Sequence, residues 1–294
     1  MRLSRPDKLL FPDDGISKGD LVEYYRSTAP RMLPYLRDRP LMMTRYPDGI
    51  GGEAIMQKNV PGYFPAWITR VAVKKQGGSN RQVVCDKPAT LVYLANQACI
   101  ELHMFLSRLD ALEKPDQLVF DLDPPDGGQF GLARRTALSL RGLLEEELGL
   151  AAFVKTTGGK GLHVHVPLRP AEDFDAARDF ARLVAELLAS RDPGQLTTAQ
   201  RKDDRGGRLY LDIMRNAYAQ TAVAPYSVRG RPGAHVATPL HWGELDDGSL
   251  NPGQFTIRTI EARLAAVSDP WAGMTRRRRG LAEPRRRLRT LSAG

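Results

Sequence analysis

The spacing of apolar and polar positions along the chain predicts a mixture of amphipathic helices and short strands. Apolar residues recur with helical spacing over about 18–30, 89–97, 132–148, 173–190 and 255–267. Short apolar or alternating runs predict strands at 39–46, 54–58, 82–85, 99–105, 118–123, 162–166 and 208–216. The first three strands are short and lie close together in the chain, which indicates a small antiparallel sheet.

One predicted strand ends in two carboxylates. Leu118 to Phe120 form a buried run, and Pro124-Pro125 ends it. Side chains alternate along a strand, so Asp121 and Asp123 lie on one face. Two carboxylates that close repel each other unless a cation lies between them, and Mg²⁺ or Mn²⁺ prefers such oxygen ligands. The alternative is a strand that runs into a solvated Asp-Pro turn.

A third carboxylate stands in another apolar strand. Asp212 lies between the apolar residues Leu211 and Ile213, and burying an unpaired carboxylate is costly. This position makes Asp212 a candidate third metal ligand.

A glycine-rich loop lies between Val154 and Leu162. Its glycine amides, together with Lys160 and the hydroxyls of Thr156 and Thr157, form a plausible phosphate-binding loop. It is not a Walker A loop, because Gly161 follows Lys160 and a strand comes next. A simple β-hairpin with a glycine turn is the alternative.

Four further residues are candidates for binding a phosphate or another ligand. Lys8 and Lys18 flank a turn where two ammonium groups could bind a phosphate, although from their spacing alone ordinary surface lysines are the favoured interpretation. His103 lies in an apolar strand, where a packed core residue is the commoner role. Arg229 lies in a turn-rich loop, Tyr226 to Gly233.

Charge and composition limit the classes of protein to which this chain can belong. The net charge is +9, but the segment 275–294 holds eight arginines and one acid, so the rest of the chain carries only two of these excess charges. The predicted arginine-rich tail could add phosphate affinity or be a flexible basic extension. Only Cys85 and Cys99 are present, which excludes a disulfide scaffold. No apolar run of about 18 residues and no secretory leader is found, so a cytoplasmic protein is expected.

The candidate residues form a coherent chemical set. Three carboxylates that bind two divalent ions could align a nucleoside triphosphate and a 3′-hydroxyl for in-line attack. Loop amides, Lys160, Arg229 and a histidine would neutralise the triphosphate. A nuclease or phosphatase could use the same ions. A phosphatase with an aspartate nucleophile is disfavoured, because Pro124-Pro125-Asp126 lacks the threonine such enzymes usually need.

Several ordered motifs resemble one known family, the polymerase domain of bacterial ligase D within the archaeo-eukaryotic primase superfamily. The resemblance runs from about Pro6 to Trp271. The motifs that carry it are Ala89 to Asn96, Ile100-Glu101-Leu102-His103, Asp121-Leu122-Asp123-Pro124, Lys160-Gly161-Leu162-His163-Val164 and Thr221 to Arg229.

This resemblance implies a template-directed nucleotidyltransferase that fills gaps or extends broken ends, often with ribonucleotides. It implies two Mn²⁺ or Mg²⁺ ions held by Asp121, Asp123 and Asp212. The positions that match nucleotide-binding residues of the family are His103, Thr157, Gly159, Lys160, His163, Arg215 and Arg229. Lys8 and Lys18 match lysines that hold the 5′-phosphate at a gap, and Arg45 and Lys58 are candidate template contacts. His165 is interpreted as structural.

The resemblance also implies an α+β fold, with a catalytic core of mixed or antiparallel sheet and flanking helices beside a smaller N-terminal αβ part. We expect a single domain over 1–274, its N-terminal part over about 1–88 and its core over about 89–274, followed by a flexible tail over 275–294. Expected partners are gapped or broken double-stranded DNA with a 5′-phosphate, a separate DNA ligase and the Ku end-binding protein, at the nucleoid in the cytoplasm.

The chain departs from the family pattern at a few positions. Ile55-Met56 stands where the family often has two phenylalanines associated with stacking on template bases. Met104-Phe105 replaces a usual Pro-Trp, and Thr157 replaces a common serine while keeping the hydroxyl. The sequence contains no ligase or nuclease module, which suggests a stand-alone form or a piece of a larger protein. A metal-dependent phosphodiesterase and a non-catalytic DNA-end binding module are the alternative functions.

Overall fold

The computed structural model of the chain describes the backbone of residues 2–293 and the side chains of residues 2–291. The strands are β1 Leu9–Phe11, β2 Ile16–Ser17, β3 Pro40–Arg45, β4 Ile55–Gln57, β5 Arg70–Lys75, β6 Gly78–Val84, β7 Cys99–Phe105, β8 Gln117–Asp123, β9 Phe153–Thr156, β10 Leu162–Pro167, β11 Leu196–Thr197, β12 Leu209–Asp212, β13 Thr221–Val223 and β14 Pro239–Leu240. The α-helices are α1 Lys18–Leu36, α2 Pro88–Asn96, α3 Phe130–Gly142, α4 Phe174–Arg191, α5 Ile260–Ala266 and α6 Ala282–Ala293.

The chain forms two compact units. The first unit comprises the chain up to Asp110 together with Thr221–Thr238 and Gly253–Asp269. Its main sheet has the order β13-β7-β3-β6-β5, and β4 pairs with β3. The helix α1 begins at a capping box in which Ser17 and Asp20 satisfy each other's backbone N–H groups. Its buried face packs against α2.

The second unit comprises Ala111–Gln220, Pro239–Pro252 and the chain from Pro270 onward. Its sheet has the order β11-β12-β8-β10-β9-β14, in which β11 and β12 pair in parallel and the remaining neighbours are antiparallel. The strand β8 lies inside this sheet, and its apolar residues Leu118 to Phe120 are buried. The predicted α+β fold, with mainly antiparallel sheets and flanking helices, is confirmed.

The boundary between the units differs from the predicted one. It lies between Asp110 and Ala111 and not near residue 88, because β7 pairs with β3 in the sheet of the first unit. The chain then returns to this sheet at β13, which pairs with the other edge of β7. Pairing between strands that are distant in sequence sets this division, and local patterns do not show it.

The arginine-rich segment also differs from the expected flexible tail. It forms the helix α6, preceded by a 3₁₀ turn at Met274–Arg277. Leu281 and Leu288 are buried, and Arg285 contacts the carboxylate of Glu172 at 2.7 Å. One buried leucine directly before α6 and one within it pack this otherwise charged segment against the rest of the second unit.

The last predicted helix is shorter than its periodicity indicates. The helix α5 begins at Ile260, whereas the pattern predicts a start near Phe255. The backbone of Phe255 accepts a hydrogen bond from Val236 N, and Thr256 forms a β-bridge with His235. These pairings hold residues 255 and 256 in an extended form.

No helix within the described backbone combines the length and the apolar character needed to cross a membrane.

Candidate functional site

A row of polar side chains crosses the sheet of the second unit. Asp121 on β8 lies opposite His163 on β10 and opposite Asp212 on β12. His163 in turn lies opposite Lys155 on β9. Residues directly opposite on antiparallel strands have neighbouring side chains on one face. The sheet therefore places Lys155, His163, Asp121 and Asp212 side by side, with Asp123 two residues further along the same face.

Basic side chains contact two of these carboxylates. Lys160 Nζ lies 3.1 Å from Asp123 Oδ1, and Arg205 Nη1 lies 3.4 Å from Asp123 Oδ2. His163 Nε2 and Arg215 Nε lie 3.4 Å and 3.5 Å from Asp121 Oδ2. The predicted residues Asp121, Asp123, Lys160, His163 and Arg215 are thus brought together in one acidic cluster, which we define as these residues with Asp212 and Arg205.

Burial and neighbouring charges shift the pKa values of Asp121 and Asp212 in opposite directions. Burial alone would raise the pKa of Asp121, but His163, Arg215 and Lys155 hold it at about 2. Burial raises the pKa of Asp212 above its usual value, and the charge of Asp121 adds to the rise, while the hydrogen bond from Met214 N offsets only part of it. Burial and the charge of Lys155 lower the pKa of His163 to about 4, so its ring is neutral at pH 7. Asp121 is therefore ionised at pH 7, whereas burial makes ionisation of Asp212 less favourable.

The glycine-rich loop is the turn of the β9–β10 hairpin. Thr157 Oγ1 donates to Gly161 O at 3.1 Å and accepts from Gly159 N at 3.1 Å. Lys160 Nζ donates to Pro125 O at 3.2 Å, which ties the loop to the end of β8. A Cβ at Gly161 would overlap the carbonyl oxygen of Leu122, so only glycine allows this close approach. The predicted hairpin and the predicted phosphate-binding loop are the same element, and its phosphate binding stays a prediction.

The acidic cluster has the chemistry of a divalent-cation site. Its three aspartates offer only oxygen donors from one face of the sheet, as Mg²⁺ and Mn²⁺ prefer. Within the described side chains, no three His, Cys, Asp or Glu residues already surround a single metal position. Oxygens of Asp121 and Asp123 are instead taken by basic partners. The donor set fits such ions, and their binding would compete with these ion pairs.

A second group of predicted residues lies in the first unit. His103 Nε2 lies 3.0 Å from Glu101 Oε2, and Arg229 Nε lies 3.1 Å from Glu101 Oε1. His103 and Glu101 point from the same face of β7, whereas Arg229 lies in the loop that follows β13. The structure thus joins two predicted nucleotide-binding residues through a carboxylate to which the sequence assigned no role.

The two predicted phosphate-binding lysines are also neighbours in the first unit. Lys18 N donates to Lys8 O at 2.8 Å, and Lys18 Nζ donates to Ser4 Oγ at 3.0 Å. Burial, followed by the charges of Arg5 and Lys8, lowers the pKa of Lys18. Arg5 and both lysines therefore form a cationic group; Lys8 Nζ already contacts Asp48 Oδ1 at 2.8 Å, and a phosphate bound there would compete with that carboxylate.

The candidate template contacts lie beside exposed apolar side chains. Arg45 Nη1 donates to Gln57 Oε1 at 3.2 Å and to Tyr63 Oη at 3.0 Å. Lys58 is exposed, and Met56 and Tyr63 are 75% and 60% exposed. Tyr63 therefore offers an exposed aromatic ring near the position where the family often has phenylalanines.

The sequence did not indicate residues that contact the predicted ones but lie far from them in the chain. Arg205 lies 4.0 Å from the centre of the Tyr210 ring as well as against Asp123. Arg205 and Asp123 lie 82 residues apart, and Glu101 and Arg229 lie 128 residues apart. No local pattern indicates such pairs. His165 is fully buried and contacts Gln117 and Trp271, as its structural interpretation predicts.

Comparison with known proteins adds an independent finding. The family described as LigD, primase-polymerase domain matches residues 17–271. The chain is 34% identical over 266 residues to the bifunctional non-homologous end joining protein LigD of Bacillus subtilis, covering 90% of this chain and 42% of that protein. It is 34% identical over 290 residues to the multifunctional LigD of Pseudomonas aeruginosa, covering 98% of this chain and 34% of that protein.

The fold is similar to that of the polymerase domain from Mycobacterium tuberculosis ligase D in complex with DNA, with a TM-score of 0.88 and 32% identity. That likeness covers 94% of this chain and 98% of the other. The chain thus spans less than half the length of the curated relatives it matches, but nearly all of the solved polymerase domain.

Proposed function

Because this chain belongs to the family of LigD primase-polymerase domains, which are DNA nucleotidyltransferases, we propose that it adds nucleotides by template-directed transfer at gaps or broken ends of DNA. The family and the class of enzyme predicted from the sequence motifs are thereby confirmed. Use of ribonucleotides, a gap with a 5′-phosphate, and cooperation with Ku and a separate ligase at the nucleoid are parts of the proposal.

One observation carries the proposal furthest. The sheet register sets Asp121 opposite Asp212 and places Asp123 beside Lys160 of the glycine-rich loop, so three carboxylates meet a candidate phosphate-binding group on one face. This arrangement suits a reaction in which divalent cations and a polyphosphate must meet. Mn²⁺ or Mg²⁺ bound there would lower the pKa of a primer 3′-hydroxyl and offset charge on the departing pyrophosphate.

The residues of the chain have distinct tasks in this proposal. Asp121, Asp123 and Asp212 hold two ions. His163, which is buried beside Asp121, keeps that carboxylate oriented and ionised, and its predicted contact with the nucleotide stays a prediction. Lys160 binds a phosphate that displaces Asp123 from its ammonium group.

Other polar groups complete the nucleotide and DNA contacts. Arg215, whose side chain is 43% exposed, offers its guanidinium to the substrate, and Thr157 and Gly159 of the glycine-rich loop contact the phosphates of the nucleotide. His103 and Arg229 are further proposed contacts to the nucleotide. Lys8 and Lys18 bind the 5′-phosphate of the strand beyond the gap, and Arg45 and Lys58 contact the template.

The test is primer extension across a short 5′-phosphorylated gap with Mn²⁺ or Mg²⁺ and either ribo- or deoxyribonucleoside triphosphates. We expect addition that follows the template, stops on removal of the ions with a chelator, and requires triphosphates. Degradation of the primer without triphosphates would favour a phosphodiesterase. Binding of gapped DNA with no addition under any of these conditions would favour a non-catalytic DNA-end binding module.

A further inference from the structure

Glu101 is a buried carboxylate that bonds two candidate nucleotide-binding residues at once. Its side chain is 9% exposed. Oε2 lies 3.0 Å from His103 Nε2, and Oε1 accepts from Arg229 Nε at 3.1 Å and from Gly230 N at 2.8 Å. Both carboxylate oxygens are therefore engaged, one by the strand β7 and the other by the loop that carries Arg229.

The backbone around Glu101 keeps this strand and this loop together. Ala224 N donates to Leu102 O at 2.9 Å, and Leu102 N donates to Ser227 Oγ at 2.8 Å. Tyr25 Oη donates to Ile100 O at 2.7 Å and accepts from Val228 N at 3.2 Å. These contacts set the position of the loop backbone. They do not reach the ends of the side chains of His103 and Arg229, which Glu101 contacts directly.

A close approach at Gly230 shows how tightly this junction is built. A Cβ at Gly230 would overlap the ring of Tyr46, so the loop passes against that ring where a larger residue could not. The N–H of the same glycine donates to Glu101. The loop is therefore held between the carboxylate and the tyrosine ring directly after Arg229.

The charge of Glu101 persists at neutral pH. Burial alone would raise its pKa, but the hydrogen bond with His103, the charge of Arg229 and the N–H of Gly230 hold it at about 2. A carboxylate that is buried and ionised is retained only where its partners satisfy it. Its partners here are the two side chains that the sequence motifs associate with nucleotide binding.

We infer that Glu101 is a positioning residue that orients His103 and Arg229 to bind the phosphates of a nucleoside triphosphate. The inference rests on the proposed function, since it gives those two side chains a nucleotide to bind. Glu101 itself carries a negative charge and is not expected to touch the phosphates. Its effect is to fix two flexible side chains before the nucleotide arrives, which reduces the conformational entropy lost on binding.

The variant Glu101→Gln tests this role, because it keeps the shape and removes the charge. Equilibrium binding of a nucleoside triphosphate and of the matching monophosphate is measured with gapped DNA and Mn²⁺ present. We expect triphosphate affinity to fall roughly 10- to 100-fold, the usual worth of a hydrogen bond to a charged group. Monophosphate affinity should fall less, because fewer phosphate oxygens are lost as contacts, and binding of the gapped DNA should stay close to the wild type. In steady-state extension, the KM for the triphosphate should rise more than kcat falls.

The matched control is Tyr25→Phe, which removes two hydrogen bonds from the same junction and leaves Glu101 in place. If loosening of the junction were the whole effect, Tyr25→Phe with an equal loss of Tm would lose the same triphosphate affinity. That result would overturn the inference. Should Glu101→Gln fail to fold, Glu101→Asp carries the same comparison, because it keeps the charge but reaches one methylene less far.

A double variant separates positioning from an independent effect. If Glu101 acts through His103 and Arg229, Glu101→Gln should weaken triphosphate binding less in the Arg229→Ala background than in the wild type, because only its effect on His103 is left to lose. Fully additive losses would contradict the inference. If the wild type extends primers and Glu101→Gln binds triphosphate and extends primers equally well, only the positioning role is overturned. Wild-type protein that binds no triphosphate would overturn the proposed function together with it.

Discussion

At the scale of single residues, Asp121 lies in the middle of the acidic cluster. It lies between His163 and Asp212 in the sheet and contacts Arg215. Asp121→Asn keeps the shape but removes the charge that would hold a divalent cation, so we expect nucleotide addition to fall below detection while binding of duplex DNA persists. Primer extension and DNA binding are measured in parallel. Asp179→Asn, on the exposed surface of α4, is the control and should extend primers normally. Addition that survives in Asp121→Asn would contradict the metal role.

The cationic group at Lys18 allows a prediction with a built-in comparison. Burial lowers the pKa of Lys18 most, and the charges of Arg5 and Lys8 lower it further. A neighbouring anion would therefore stabilise the charged form of Lys18. Lys18→Ala should weaken binding to a gap with a 5′-phosphate by roughly 10- to 100-fold, the usual worth of a charged hydrogen bond. Binding to the same gap without the phosphate should change much less. Equal losses on both DNA molecules would count against a phosphate site.

Glu101 predicts a pH dependence of stability whose sign follows from its pKa. The folded value of about 2 lies below the usual 4.5, so the folded state holds the ionised form more strongly than the unfolded state does. Its contribution is complete above about pH 4.5 and disappears as the pH falls towards 2. The free energy of unfolding of the wild type should therefore exceed that of Glu101→Gln by up to roughly 3 kcal/mol at pH 7, with a smaller gap in acid.

Urea unfolding of both proteins at several pH values measures this difference. The ionisable groups that face Glu101 include His103, Arg229, Tyr46 and Tyr25, and each is present in both proteins. The diagnostic range is the acid range from about pH 4.5 towards pH 2, where the Glu101 carboxylate itself takes up a proton. A gap that is constant from neutral pH down to pH 3 would show that the carboxylate is not held in its ionised form.

At the scale of elements, Gly161 shows how one residue places a whole loop. A Cβ at this position would overlap Leu122 O, so the start of β10 would have to move away from β8. Gly161→Ala should lower the free energy of unfolding by roughly 1–3 kcal/mol and weaken triphosphate binding, because Lys160 moves with the loop. Gly127→Ala meets nothing within 4 Å and serves as the control. A stable Gly161→Ala with normal binding would mean that the loop tolerates displacement.

Elements with a strong local pattern were predictable, and those defined by distant partners were not. The run Leu118 to Phe120 and the glycines after Thr157 indicate a buried strand and a hairpin turn, and both are present. In β5, one residue, Val73, is buried, so the strand lacks the alternation that marks a half-buried strand. The place of Arg205 beside Asp123 depends on a 3₁₀ turn whose position only the folded sheet determines.

At the scale of the whole molecule, the arginines after residue 274 are less free to bind nucleic acid than the sequence indicates. Arg278 contacts Asp116 at 2.6 Å, Arg285 contacts Glu172 at 2.7 Å, and Arg286 and Arg287 both contact Glu283. Half of the eight arginines after residue 274 therefore have acidic partners within the second unit. This part of the chain stabilises the fold in addition to any affinity it has for DNA.

The ion pair between Arg278 and Asp116 tests that structural role. Asp116 is 3% exposed, and its backbone carbonyl accepts a hydrogen bond from Leu168 N. Arg169 N donates to Arg279 O, and this bond aligns the C-terminal segment with the end of β10. Arg278→Ala removes the charged partner of a buried carboxylate and should lower the free energy of unfolding by roughly 1.5–3 kcal/mol. Arg286→Ala breaks an exposed pair with Glu283 and should change it by less than about 0.5 kcal/mol. Denaturant unfolding compares the two. Equal, small effects would mean that the arginine-rich segment contributes little to the fold, and its charges would then be left mainly for nucleic acid.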